Sequence, residues 1–417
     1  MKLSILIFLF GIAGTISAQN GTAHAADSVL RCDSMVLAYL HEEGVTVTTD
    51  NKIKLLKSGQ EKFEDLFATI NRARYNIHLE YFNFRNDSIA NALFNLLSVK
   101  AKEGVEVRTL FDAFGNWSNS RPLQKKHLEK IRSRGIEIYH FDQLKFPYLN
   151  HVFHRDHRKI AVIDGRVAYT GGMNIADYYI KGLPEIGDWR DMHMRIEGGA
   201  VKFLQDIFLE MWNRSTKHDV GGKQYYSQPD ISSQAGISVA IVDRSPKKLP
   251  KLLRHTYIKS IQAANRKIQI VNPYFLPPRS VKRALKDALA RGVEIEILLS
   301  SKSDIPLTPE GSIYVAWKLL KRGAHVYLYN GGFHHSKIMM VDDTFCTVGT
   351  ANLDSRSLRY DYEVNAFIFD GKITGELVQI FNDDKKNCTI LTPEIWKKRS
   401  VWKRFSGWFA NVLTPFL

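Results

Sequence analysis

A chain of 417 residues, 44% of them hydrophobic, can bury a sizeable core, which excludes a disordered segment and a small crosslinked scaffold. Its three cysteines, Cys32, Cys346 and Cys388, exclude a disulfide framework, and the odd count leaves at least one unpaired. A formal net charge of +15 asks for an anionic partner without choosing between lipid and nucleic acid.

The chain opens on Met1-Lys2 and an apolar run from Leu3 to Gly14, the basic start and short apolar core of a secretory signal. Cleavage is expected after Ala18 or Ala25, with an uncleaved membrane anchor as the alternative. Either places the rest outside the cytoplasm. Cys32, preceded by Val29-Leu30-Arg31, lacks the small residue that a lipoprotein signal wants.

The first repeating unit follows. Ile70-Asn71-Arg72-Ala73-Arg74-Tyr75-Asn76-Ile77 leads into a strand at His78-Leu79-Glu80-Tyr81-Phe82, then an amphipathic helix, then a strand after Gly104, then another helix closing on Gly135. Ser215 to Asp230, with Gly221-Gly222 and Ser227-Gln228-Pro229, breaks this pattern and reads as a linker. Ile261-Gln262-Ala263-Ala264-Asn265-Arg266-Lys267-Ile268 then leads into Val271-Asn272-Pro273-Tyr274-Phe275, and helices close on Gly292 and Gly323. Gly104 and Gly135 are 31 residues apart, as are Gly292 and Gly323, so the chain is a tandem duplication of one α/β unit. Strands alternating with helices imply a parallel or mixed sheet covered on both faces.

At the carboxyl end, Trp396-Lys397-Lys398-Arg399, Trp402-Lys403-Arg404-Phe405 and Trp408-Phe409 interleave basic and aromatic residues. Such a segment suits a helix lying in the headgroup region of an anionic bilayer, the other reading being a terminal helix docked on the domain.

Each unit carries one pattern, H-x-K-x4-D: His157, Lys159 and Asp164 in the first, His335, Lys337 and Asp342 in the second. Asn174 and Asn352 each stand 17 residues past their histidine, after Gly171-Gly172-Met173 and Gly349-Thr350-Ala351. Two histidines suit in-line phosphoryl displacement, in which one group attacks phosphorus and another protonates the leaving oxygen. Lysines at identical offsets suit phosphate oxygens. His151, His154 and His157 could suggest a metal site, but neither H-E-x-x-H nor cysteine pairing accompanies them.

These paired motifs resemble the phospholipase D superfamily, and within it the bacterial cardiolipin synthases. The resemblance runs from about Asn51 to the end and includes Asp188-Trp189-Arg190-Asp191-Met192-His193, Asn272-Pro273-Tyr274-Phe275, Leu353-Asp354-Ser355-Arg356-Ser357 and Glu363-Val364-Asn365. Two departures bear on substrate choice: Phe153-His154-Arg155-Asp156 before the first motif, and His334 where an apolar residue is usual.

The resemblance implies a phospholipase D-like α/β sandwich unit, duplicated in tandem, pseudo-two-fold, with the active site between the halves. It divides the chain into a signal or anchor (1–26), a first unit (27–220), a second unit (221–395) and a membrane-interface tail (396–417). It makes His157 the nucleophile and His335 the acid and then base, with Lys159, Lys337, Asn174 and Asn352 as donors to phosphate. Asp191 and Glu363 orient the histidines across the halves, Glu363 on His157 and Asp191 on His335. Asp164 and Asp342 belong to the catalytic motifs, yet they end strands and are expected in structural salt bridges. Glu80 and Arg356 are further candidates. No metal, cofactor or obligate protein partner is required.

The activity so implied joins two phosphatidylglycerols into cardiolipin plus glycerol at the extracytoplasmic (periplasmic) face of the cell membrane. Hydrolysis to phosphatidic acid, or a secreted phosphodiesterase acting on nucleic acid, would use the same residues. A lipid-binding scaffold would not need them.

Overall fold

The computed structural model describes residues 32–142, 153–227 and 236–414. The expected signal segment 1–26, His151, part of the expected linker and residues 415–417 lie outside them. Among the described residues fifteen strands form one sheet, and the order of its strands is the duplication made visible. Outward from the middle, the first half runs Val47–Leu56, His193–Glu197, Val167–Gly171, Lys159–Ile163, Asn76–Tyr81, Glu106–Asp112 and Glu137–Phe141. The second half runs Ile237–Arg244, Glu363–Phe369, Phe345–Gly349, Ile338–Val341, Lys267–Val271, Glu294–Ser300, His325–Tyr329, and ends on one extra strand, Cys388–Ile390. In each half the three strands joined through helices pair in parallel, and the motif strand pairs antiparallel with its neighbours.

The halves meet where Val47–Leu56 pairs antiparallel with Ile237–Arg244, Val47 opposite Ala240 and Thr48 opposite Val239. They also share a core. Ile160, Val162, Met194 and Ile196 pack in one cluster with Val239, Ile338, Met340, Val364 and Ile368. The motif strand shows why its residues after Lys159 are uniformly apolar: Ile160 and Val162 face this shared core, whereas Ala161 and Ile163 face the outer core of the first half. A strand buried on both faces cannot alternate with polar residues.

The expected linker starts inside regular structure, because the helix Val201–Thr216 runs through Ser215 and ends on Lys217 in the left-handed conformation. Beyond it, Tyr225 is buried and receives a hydrogen bond from Arg108 at 3.1 Å, so this stretch is pinned to the first half.

At the carboxyl end, helices Pro393–Lys398 and Val401–Val412 dock on helix Thr308–Leu320. Trp396 stacks on Trp317 at 4.9 Å, and Gly407 lets the last helix approach so closely that a Cβ there would stand 2.5 Å from the Glu310 carbonyl oxygen. The terminal segment is thus docked on the domain through one face. Ser406, Gly407 and Ala410 face the domain, while Trp402, Phe405, Trp408, Phe409 and Val412 face outward. No helix among the described residues is long and apolar enough to cross a membrane.

Candidate active site

The motif histidines lead into their strands, His157 ahead of Lys159–Ile163 and His335 ahead of Ile338–Val341, each with its lysine two residues on and on the same face. Arg158, between His157 and Lys159, points the other way and bonds Asp243 at 2.5 Å. A two-stranded parallel ribbon, Trp189–Arg190 with Phe333–His334, brings the second motif to the first half, and the His335 amide donates to the Arg190 carbonyl at 2.7 Å. On the other side the His157 amide donates to the Tyr362 carbonyl at 3.0 Å.

These contacts carry each histidine to a carboxylate of the opposite half. Nδ1 of His157 lies 2.9 Å from Oε1 of Glu363, and Nδ1 of His335 lies 2.7 Å from Oδ2 of Asp191. Both carboxylates are fully buried. An Nδ1–H held by a carboxylate leaves Nε2 as the unprotonated atom.

The two carboxylates are held differently. Burial acts to raise the Glu363 carboxyl, but the charges of His157 and Lys159 and the hydrogen bond from His157 outweigh it, so the group sits below its ordinary value. Thr350 also donates its hydroxyl to Oε2 of Glu363. Burial lifts Asp191 to about 6 against Lys337 and the Met192 amide, which donates to Oδ1 at 2.7 Å. The position matching Thr350 is Gly172, where a Cβ would stand 2.1 Å from Asp191 Oδ1. Glycine is required there because the carboxylate occupies the space.

Burial disfavours the charged form of both imidazoles. Burial lowers His157 by more than Glu363 raises it, and burial with the neighbouring Lys337 charge takes His335 well below its ordinary value. The Lys159 charge also acts to lower His335. Burial lowers Lys159 to about 7, despite Glu363, and Lys337 to about 8, despite Asp191. The Lys159 Nζ donates to the His157 carbonyl at 2.5 Å, and Lys337 Nζ lies 3.0 Å from His335 Nε2.

Asn174 and Asn352 are buried, and each Oδ1 is without a hydrogen-bond partner among the described residues. Asn174 is placed by Lys62, a buried lysine whose Nζ donates to the Met173 and Asn174 carbonyls at 3.2 and 2.9 Å. Sequence reasoning passed over Lys62 because a lysine in an amphipathic helix ordinarily reads as surface. Rings close the walls: Phe82 stands edge-on to His157 at 5.1 Å, and Trp189 and Tyr274 stand 5.6 and 6.0 Å from His335.

Asp164 and Asp342 lie at the far ends of the motif strands and make no salt bridge among the described residues, so that expectation is corrected. Asp164 accepts the backbone amides of Arg74, Tyr75 and Asn76 at 2.8–3.0 Å, and Asp342 accepts those of Asn265, Arg266 and Lys267 at 2.7–2.8 Å. Each tethers the motif strand to the start of the neighbouring strand, from a left-handed conformation (φ 54° and 52°) that aspartate tolerates. Glu80 is buried beside Arg158 at 3.6 Å, Arg356 bonds Asp361 at 2.8 Å, and Arg190 bonds Asp384 at 2.8 Å. His154 turns its Nδ1 to the Tyr360 carbonyl at 2.9 Å, and no metal-holding group of three His, Cys, Asp or Glu occurs among the described residues.

A family model described as cardiolipin synthase, PLD-like domain, matches residues 66–194 and again 257–385, one match over each half. The chain belongs to this family. Cardiolipin synthase of Staphylococcus aureus is 37% identical over 391 residues, which span 93% of this chain and 78% of that one. Cardiolipin synthase of Listeria monocytogenes is 36% identical over 385 residues, 92% of this chain and 79% of that one. Among solved structures, phosphatidylserine synthase of Haemophilus influenzae matches 92% of this chain and all of its own, with a TM-score of 0.69 at 16% identity, a likeness of fold. The family member described here is an enzyme of the phospholipase D superfamily, of phosphatidyltransferase type.

Proposed function

We propose that the protein acts as a cardiolipin synthase-like phosphatidyltransferase on phosphatidylglycerol at a membrane surface. Nε2 of His157 attacks the phosphodiester phosphorus, the phosphorus–glycerol oxygen bond breaks, and His335, which takes up a proton on Nε2 when the phosphodiester anion binds, gives that proton to the departing alkoxide. Glycerol leaves a phosphatidyl-histidine. His335 then takes the proton from the hydroxyl of a second phosphatidylglycerol, whose oxygen displaces His157 to give cardiolipin. Lys159, Lys337 and the amide groups of Asn174 and Asn352 bear on the non-bridging oxygens.

The observation that carries this reading is the pair of cross-half contacts with unequal carboxylates. Glu363, ionised, suits the histidine that gains positive charge on attack. Asp191, near 6, suits the histidine that must gain and lose a proton, and a phosphodiester anion between the imidazoles would raise His335 toward that role. The curated relatives favour lipid over nucleic acid. An amino-terminal segment that delivers the enzyme to the extracytoplasmic face belongs to the same proposal.

The test is incubation of the protein and its H157A variant with mixed micelles of phosphatidylglycerol under chelation. Cardiolipin with equimolar glycerol, absent from the variant, supports the reading. Phosphatidic acid alone would make the enzyme a hydrolase, and no lipid turnover would return it to nucleic-acid phosphodiesters.

A further inference from the structure

Away from the histidines, helices Arg279–Ala290, Thr308–Leu320 and Val401–Val412 border an open cavity of about 450 Å³. Arg279, Lys282, Arg283, Lys286, Lys318 and Asn411 line it over an apolar floor of Val315 and Leu319, and no carboxylate joins them. Four of the cations stand at i, i+3, i+4 and i+7, on one face of one helix. Like charges at this spacing repel, and Arg279, Lys282 and Arg283 fall near the helix amino terminus, where the macrodipole disfavours cations. Among the described residues none of the five cations forms an ion pair. Lys282 donates only to Asn411 Oδ1 at 3.2 Å, and burial with the charges of Lys318, Lys286 and Arg279 lowers it to about 8. Arg279, Arg283 and Lys318 remain exposed to solvent, so an anion can reach the cluster from outside.

We propose that this cavity is a second, non-catalytic phosphate site, which takes the headgroup of an anionic phospholipid in the bilayer surface. The third wall identifies the source of the phosphate. Asn411 belongs to the terminal helix, whose outward face presents Trp402, Phe405, Trp408 and Phe409, between 43% and 72% exposed. A helix with exposed aromatics on one side and a cationic cavity on its flank matches an interface that is apolar at acyl depth and anionic at the headgroups. The lipid assignment rests on the proposed lipid chemistry only for its context, since binding is measured without turnover.

The experiment measures partition of the full chain and its K282Q/R283Q/K286Q variant onto sedimented vesicles of phosphatidylcholine with and without 30% (roughly, a typical anionic fraction) phosphatidylglycerol. The variant should lose on the order of 30-fold or more in affinity for the anionic vesicles and little for the neutral ones. It should melt as the wild type does and retain turnover of a short-chain, detergent-dispersed phosphatidylglycerol. K318Q, which removes one cation from the opposite wall, should show a smaller loss and guards against a folding artefact. Wild-type partition in the triple variant would overturn the proposal. So would stabilisation of the wild type by millimolar inorganic phosphate with vesicle binding unchanged in the variant, which would make the site one for free phosphate. Cavity-dependent vesicle binding with no phosphatidylglycerol turnover would sink the proposed activity and leave this site standing.

Discussion

Replacing Glu363 by glutamine changes almost no volume and tests the orientation of His157 directly. Thr350 donates to Oε2 and Nδ1 of His157 lies 2.9 Å from Oε1, so the carboxylate accepts on both sides. Glutamine has one acceptor oxygen. If it stays with the Thr350 hydroxyl, its NH2 turns to Nδ1 and drives the ring proton to Nε2, the atom that must attack. Loss of a buried charge-assisted bond costs about 1.5–3 kcal/mol. The positive charge formed on the ring also loses an anion, worth on the order of 3 kcal/mol at roughly 5 Å and an effective dielectric near 20. These overlap, so the barrier should rise by about 3–5 kcal/mol, or on the order of 10²- to 10⁴-fold in kcat with KM little changed. Glycerol release from phosphatidylglycerol micelles, followed under single-turnover conditions, measures the first step alone. A kcat within tenfold of wild type in a folded variant would refute the claim that Glu363 aligns the nucleophile.

If His335 is the proton donor, H335A should lose lipid turnover but regain its first step on a phosphodiester with a p-nitrophenolate leaving group, which needs no proton, and a phosphohistidine should accumulate. H157A should show neither effect, and equal rescue of both variants would contradict the assigned sides. The profile of kcat/KM against pH should be bell-shaped: activity falls as pH drops through about 6, where Asp191 protonates, and falls as pH rises through about 7 to 8, where Lys159 and Lys337 lose their charge. An unchanged acid limb in D191N would reject the first assignment. D164A and D342A strip three backbone amides of their charged acceptor and should lower stability by about 2–4 kcal/mol, read by denaturant unfolding, with turnover per folded molecule near wild type. G172A should displace the Asp191 carboxylate and lower kcat more than 100-fold (roughly, as for a misplaced catalytic group), with a Tm drop reporting the overpacking.

Much of the fold was legible because a duplicated unit repeats its local signals: a glycine at each helix end, apolar runs at strand length, an asparagine at a fixed offset. Lys159 stood out from the other lysines of the chain only because Lys337 repeats it. Lys62 and Thr350 have no such twin. One reads as a surface lysine and the other as a polar residue in a turn, until burial and the Glu363 contact give them work. The aspartates of the motifs mislead in the opposite sense, since a carboxylate in a basic chain suggests an ion pair, whereas three backbone amides converge on it once neighbouring strands align.

The sequence by itself determined the residue types of the paired motifs, their twofold repetition and the α/β character of each unit, because spacing along a strand or helix is local and survives without knowledge of the fold. The tertiary structure decided what depends on distance in space. It joined the halves into one sheet with a shared core, set His157 against a carboxylate 206 residues away and His335 against one 144 residues away, and gave one a hydroxyl and the other a glycine. The same packing buried the small face of the terminal helix and left its aromatic face beside an unpaired cationic cavity, a juxtaposition of three helices that no single stretch of sequence encodes.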